Sequence, residues 1–169
     1  CNYPPATATI PRIGGTLNPN LETIVVLKHD LIIHLHDSVK IQEQTKELGI
    51  KTLKVNLIDI ENILKSILIM VEVLGTQEAA QRLNDRLKQG IEFYRSRLNE
   101  QKRKSVLIVL GDSNDPLRDL YAVGKGTFLD ELLTLAGGEN ILSKSMARYP
   151  KLSKEYLISQ SPELIIEAI

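Results

Sequence analysis

Tryptophan is absent, and only two phenylalanines and five tyrosines occur in 169 residues. That scarcity argues against an aromatic stacking platform for single-stranded nucleic acid. The single cysteine, Cys1, excludes an intrachain disulfide and a cysteine-rich zinc or iron–sulfur site. Neither sign of charge is in excess, because 21 Lys+Arg balance 21 Asp+Glu. A basic face for nucleic acid is therefore not expected. No apolar run reads as a membrane span or a signal peptide. What is present is an apolar fraction of 43%, enough for a real core. The length suits one ordinary domain or two small lobes.

Residues 76–100, TQEAAQRLNDRLKQGIEFYRSRLNE, read as one long helix and organise the rest. Ala79, Ala80, Leu83, Leu87, Ile91, Tyr94 and Leu98 recur at spacings of three and four, an apolar stripe on one face. Thr76 is the expected N-cap. Such a helix spans roughly 36 Å, long enough to carry the chain from one packed unit to another.

Before it, residues 1–20 read as loop, with Pro4, Pro5 and Pro11 resisting helix and Gly14-Gly15 allowing a tight turn. Asn18 or Asn20 can cap a short helix from Leu21 to about His29, and Pro19 in its first turn favours Asn18. DLIIHLH at 30–36 and TLKVNL at 52–57 are expected strands, the first buried on both faces. A helix over 39–48 lies between them, with Gly49 as its stop. Residues 59–74 predict a well-buried helix. After the long helix, SVLIVL at 105–110 is a buried strand. Gly111 to Gly126 is expected to be a sixteen-residue loop, longer than a structural turn needs. Thr127 caps the next helix, which ends at Gly137-Gly138. Residues 140–151 read as irregular, Ser153 opens a short helix, and 163–169 form a last strand. This alternation is the pattern of an α/β fold with mainly parallel sheets and flanking helices.

Two segments echo each other. NLETIVVLKHDLIIHL and LSKEYLISQSPELIIEAI are each a short helix followed by a strand, with Glu22 or Glu155 near the helix start. An acid there complements the helix dipole, or is displayed for a partner. Enzyme motifs are missing. Gly124-Lys125-Gly126-Thr127 lacks the earlier glycine of a phosphate loop, since residue 119 is Asp. No G-x-S-x-G or G-x-G-x-x-G occurs, and no base is placed for Cys1. The chain is not expected to be an enzyme.

The run CNYPPATATIPRIGGTLNPNLETIVVLKHDLII resembles an N-lobe segment of the class III, helical-linker (TroA-like) periplasmic binding proteins. These are the substrate-binding components of ABC importers for iron–siderophores, haem and cobalamin. YAVGKGTFLDELLTLAGGENIL and YPKLSKEYLISQSPELII resemble the matching C-lobe segments. The resemblance implies an N-terminal α/β lobe at 1–75, a linker helix at 76–100 and a C-terminal α/β lobe at 101–169. It implies a ligand in the cleft between lobes, and docking to the membrane permease through Glu22 and Glu155, one per lobe. A periplasmic or extracellular location follows, with membrane anchoring open. The usual first and last elements are missing from the pattern, so both lobes are expected to be partial. Open sheet edges would then invite a homodimer or strand exchange. Cys1 falls inside the N lobe in this reading rather than at a lipidated terminus.

Loops at strand ends then nominate ligand-binding residues. In the first lobe these are Gly14, Gly15, Thr16, Leu17, His34, His36 and Asp37. In the second they are Arg118, Tyr121, Lys125, Arg148 and Tyr149. Tyrosine with arginine or lysine suits an anionic ferric siderophore, and tyrosine or histidine suits haem iron. No resident cofactor is expected. His34, His36 and Asp37 also permit direct metal binding, or local packing of a histidine. The remaining alternative is a relative that no longer binds solute and acts through self-association.

Overall fold

The computed structural model describes residues 4–15, 19–35, 39–98, 103–111 and 120–168; for 39–41 and 154 it describes the backbone only. Contacts divide the chain into two compact units, residues 1–55 and 56–169.

The first unit opens with a 3-10 helix, Pro5–Thr9, where a loop is expected. Proline at its start is tolerated because the missing N–H has no intrahelical partner there. Gly14, at φ 98°, bridges to Pro19, just before helix α1, Leu21–Val26. Its cap is Asn20, not the expected Asn18, which lies outside the described residues. The Asn20 Oδ1 accepts from the Thr23 N–H at 3.0 Å. Pro19 is held in the bridge and so precedes the helix. Strand β1, Ile32–Leu35, and strand β2, Thr52–Val55, pair in parallel, with α2, Val39–Glu47, crossing between them. Ile24, Ile32 and Val55 are the buried apolar residues described here.

The second unit begins with two helices, α3 at Ile60–Leu74 and α4 at Gln77–Arg95. Asp59 caps α3, accepting from the Asn62 N–H at 2.8 Å, and Gly75 ends it in the left-handed region at φ 68°. The Asn62 amides hold the Asp59 carboxyl below its usual range, helped by the nearby charges of Lys65 and Arg148. Its folded value being lowered, Asp59 stabilises fully above the ordinary carboxylate range. That contribution is lost as pH falls through the lowered value.

Helix α3 is less buried than its composition predicts. Only Ser66 and Val71 are buried, while Leu68, Ile69, Val73 and Leu74 are exposed. α4 covers one side of α3 and leaves the remainder of its broad apolar face open. α4 spans about 28 Å, shorter than expected. It stops at Ser96, whose Oγ donates to the Phe93 carbonyl. Thr76 stands at its N-cap position without a side-chain cap bond. Of the expected stripe Ala80 is buried and Ile91 half-buried, whereas Leu83, Leu87 and Tyr94 are exposed. Polar Asn84 is buried instead, its Nδ2 donating to the Leu64 carbonyl at 3.0 Å. The contacts place α3 and α4 in the second unit, and α4 also touches helix α5 at Phe128–Leu135.

Strand β3, Lys104–Leu110, is the axis of a five-stranded mixed sheet. One edge carries β7, Leu164–Ala168, in parallel. The other edge is shared. The carbonyls of Val106 and Ile108, two residues apart and so on the same side, accept from Ile141 and Val123. β5, Gly138–Asn140, therefore runs parallel along the first half of that edge, and β4, Leu120–Ala122, antiparallel along the second. β6, Lys151–Leu152, pairs antiparallel with β4. Thus the expected sixteen-residue loop contains a strand, and the expected irregular stretch 140–151 is bounded by two. Strands of two or three residues are too short to show a period of two, so pairing partners decide them. Helix α6, Lys154–Gln160, precedes β7.

Both faces of β3 are core. Val106 and Ile108 pack with Val123 and Leu133. Leu107 and Val109 pack with Ala122 and Leu142, against Leu152 and Leu157. Two buried faces explain the unbroken apolar run. By contrast β7 is exposed at every residue, including Leu164, Ile165 and Ile166.

Candidate functional site

In the second unit the antiparallel β4–β6 pairing continues past its strands. Tyr121 stands opposite Lys151. The Ala122 N–H donates to the Pro150 carbonyl at 2.9 Å, and the Gly124 N–H to the Arg148 carbonyl at 2.7 Å. Four nominated residues, Tyr121, Lys125, Arg148 and Tyr149, therefore lie on two backbone segments held side by side. Tyr121 and Tyr149 are 45% and 42% exposed, so both rings are available to a ligand. Lys125 and Arg148 are also exposed. The fifth nominee, Arg118, lies outside the described residues. Phenols beside cations can grip an anionic chelate by charge and hydrogen bonds.

The segments approach this closely because residue 124 is glycine. A Cβ there would enter the Ala147 carbonyl oxygen and crowd that of Arg148. Behind the turn lies a polar network that sequence reasoning missed. The Thr127 Oγ1 donates to the Gly124 carbonyl and accepts from the Asp130 N–H, each at 3.2 Å. Asp130 accepts from the Gly126 N–H at 3.1 Å and from Asn140 Nδ2 at 2.8 Å. The visible signal was the pair of runs GKGT and GGEN flanking one helix. Thr127 read as an ordinary helix cap and Asn140 as the start of an irregular stretch.

In the first unit Gly14 and Gly15 are exposed and precede α1, and Thr16 and Leu17 fall outside the described residues. His34 is only 6% exposed. Its Nδ1 donates to the Leu35 carbonyl at 2.9 Å, and its buried Nε2 has no hydrogen-bond partner among the described residues. His34 thus packs inside this unit. His36 and Asp37 lie outside the described residues. Among the described residues no three His, Cys, Asp or Glu side chains gather as a metal site. Glu22 and Glu155 are exposed, each in the first turn of its helix.

Comparison with known proteins matches residues 1–168 to the family described as periplasmic binding protein. The vitamin B12-binding protein of Salmonella typhimurium is 28% identical over 169 residues, covering 99% of this chain and 62% of that protein. The high-affinity heme uptake system protein IsdE of Staphylococcus aureus strain Newman is 28% identical, covering 93% of this chain and 53% of its own length. A solved periplasmic heme binding protein from Pseudomonas aeruginosa superposes with a TM-score of 0.85 at 20% identity, covering 98% of this chain and 60% of that one. The chain spans between 53% and 62% of the length of these two curated relatives. Two α/β units with flanking helices, matched from residue 1 to residue 168, place the chain in the periplasmic binding protein family.

Proposed function

We propose that the chain is the solute-binding part of an ABC importer and takes haem, a ferric siderophore or a corrinoid. The family match over residues 1–168 carries this reading. Relatives named for vitamin B12 binding and heme uptake support the ligand class. The exposed pair Tyr121 and Tyr149, with Lys125 and Arg148 alongside, supports an anionic ligand. Gly14, Gly15, Thr16, Leu17, His36, Asp37 and Arg118 complete the proposed ligand set, whereas buried His34 leaves it. The protein works outside the cytoplasmic membrane, in the periplasm or on the extracellular side.

Glu22 and Glu155 are proposed to meet cations on the permease, where exposed carboxylates orient the encounter. Titration with haemin, ferrichrome and cyanocobalamin tests the first step; failure to bind all three sinks it. Glu22→Lys and Glu155→Lys are each expected to weaken docking to the permease in nanodiscs by about tenfold, or 1.4 kcal/mol. Solute affinity should stay within about twofold, since neither carboxylate is in the proposed ligand set. Unchanged docking in both variants removes their assigned role.

A second reading has its own observation. β7 shows apolar side chains on both faces, and among the described residues it pairs only with β3. A strand so patterned is suited to burial on both sides. Self-association through it predicts a dimer mass by light scattering that Ile165→Lys returns to monomer. A wild-type monomer at tens of micromolar would reject it.

A further inference from the structure

Asn140 is 5% exposed and uses its whole side-chain amide. Nδ2 donates to the Val123 carbonyl at 3.0 Å and to Asp130 Oδ1 at 2.8 Å, and Oδ1 accepts from the Leu142 N–H at 2.9 Å. Asp130 in turn holds the Gly126 N–H, and its own N–H meets Thr127, whose hydroxyl holds the Gly124 carbonyl. Three backbone groups of the turn 123–126 are therefore anchored from behind by one buried network. Gly124 passes that constraint on through its N–H to the Arg148 carbonyl. Burial alone does not require these residue types, because an apolar side chain at 140 would fill the same space. A buried polar network persists where every member is satisfied, and it then specifies one geometry.

We propose that Asn140 is the positioning residue of the ligand surface on the second unit. It sets the turn that carries Lys125 and, through Gly124, the register of Arg148 and Tyr149 against Tyr121. This rests on the solute-binding reading for its consequence, but not for its geometry. Asn140 touches no proposed ligand group and acts through the turn.

Asn140→Asp is the sharpest test. It keeps size and the acceptor for Leu142, but sets a carboxylate against Asp130 and the Val123 carbonyl. At pH 7 the Gly124 and Ala122 amides are expected to exchange about tenfold faster or more, as a lost hydrogen bond to a charged group implies. Leu107 and Val109 in β3 should stay protected. Affinity for whichever of haemin, ferrichrome and cyanocobalamin binds should fall by about tenfold. Adding Asp130→Asn to the same chain restores a donor facing the new carboxylate while its amide oxygen still accepts from Gly126. Gly124 protection should then recover to within about threefold of wild type. A loss of space alone would show no such recovery. Should Asn140→Asp fail to fold, Asp130→Asn alone decides, since it strands one donor and should speed Gly126 and Gly124 exchange selectively. Wild-type protection of Gly124 in Asn140→Asp, or no recovery in the double variant, overturns the proposal. If the wild-type chain binds none of the three solutes, the solute-binding reading falls, while the exchange results still decide the role of Asn140.

Discussion

Leu107→Ala is expected to destabilise the second unit by about 4 kcal/mol. Leu107 is fully buried at the middle of β3, with strands on both edges. Its side chain packs with Val109, Ala122 and Leu142, and Leu152 and Leu157 close the cluster. Truncation removes transfer free energy and leaves a cavity, which strand pairing on both sides of β3 prevents from collapsing. Urea unfolding followed by far-UV circular dichroism would show a lower midpoint with an unchanged slope. A loss below about 1 kcal/mol would mean that this face of β3 is not core.

Gly124→Val is expected to cost about 3 kcal/mol, the upper part of the overpacking range. The added Cβ would enter the Ala147 carbonyl oxygen, and backbone cannot rotate away as a side chain can. The damage should be local in kind. The Gly124–Arg148 hydrogen bond opens, the segment bearing Arg148 and Tyr149 swings out, and solute affinity falls further than stability alone accounts for. Unfolding by urea and solute titration on the same protein separate the two effects. Wild-type stability together with wild-type affinity would contradict the close approach of these segments.

Particular elements explain which parts of the fold were legible. β1 and β3 were readable because continuous apolar runs between turn residues leave few alternatives, and β2 because its polar and apolar residues alternate. The cap at Thr127 and the stops at Gly49 and Gly137 carry local chemistry, and local chemistry survives in one dimension. β5 and β6 were not legible. Gly138 is in β5 because it pairs with Lys104 of β3, and it is glycine because a Cβ there would enter Leu133 and crowd Val106. Asn84 and Asn140 were missed for the same reason: a polar residue in a helix or a turn reads as solvated until its buried partners are known. Of the nominated site, Tyr121, Lys125, Arg148 and Tyr149 were placed on adjoining segments. His34 was placed inside its unit.

Composition and spacing determined an α/β fold, and the long motif runs carried the resemblance to the periplasmic binding proteins. These properties depend on local preference and on long runs whose order along the chain is itself the signal. Tertiary structure alone decided that β3 has β7 on one edge and β5 with β4 sharing the other. It alone decided that the Tyr121 and Arg148 segments lie side by side, and that the buried Asn140 amide donates to the Val123 carbonyl. Those facts are contacts between residues far apart in sequence, and no periodicity encodes which distant group a strand edge or a buried amide will meet.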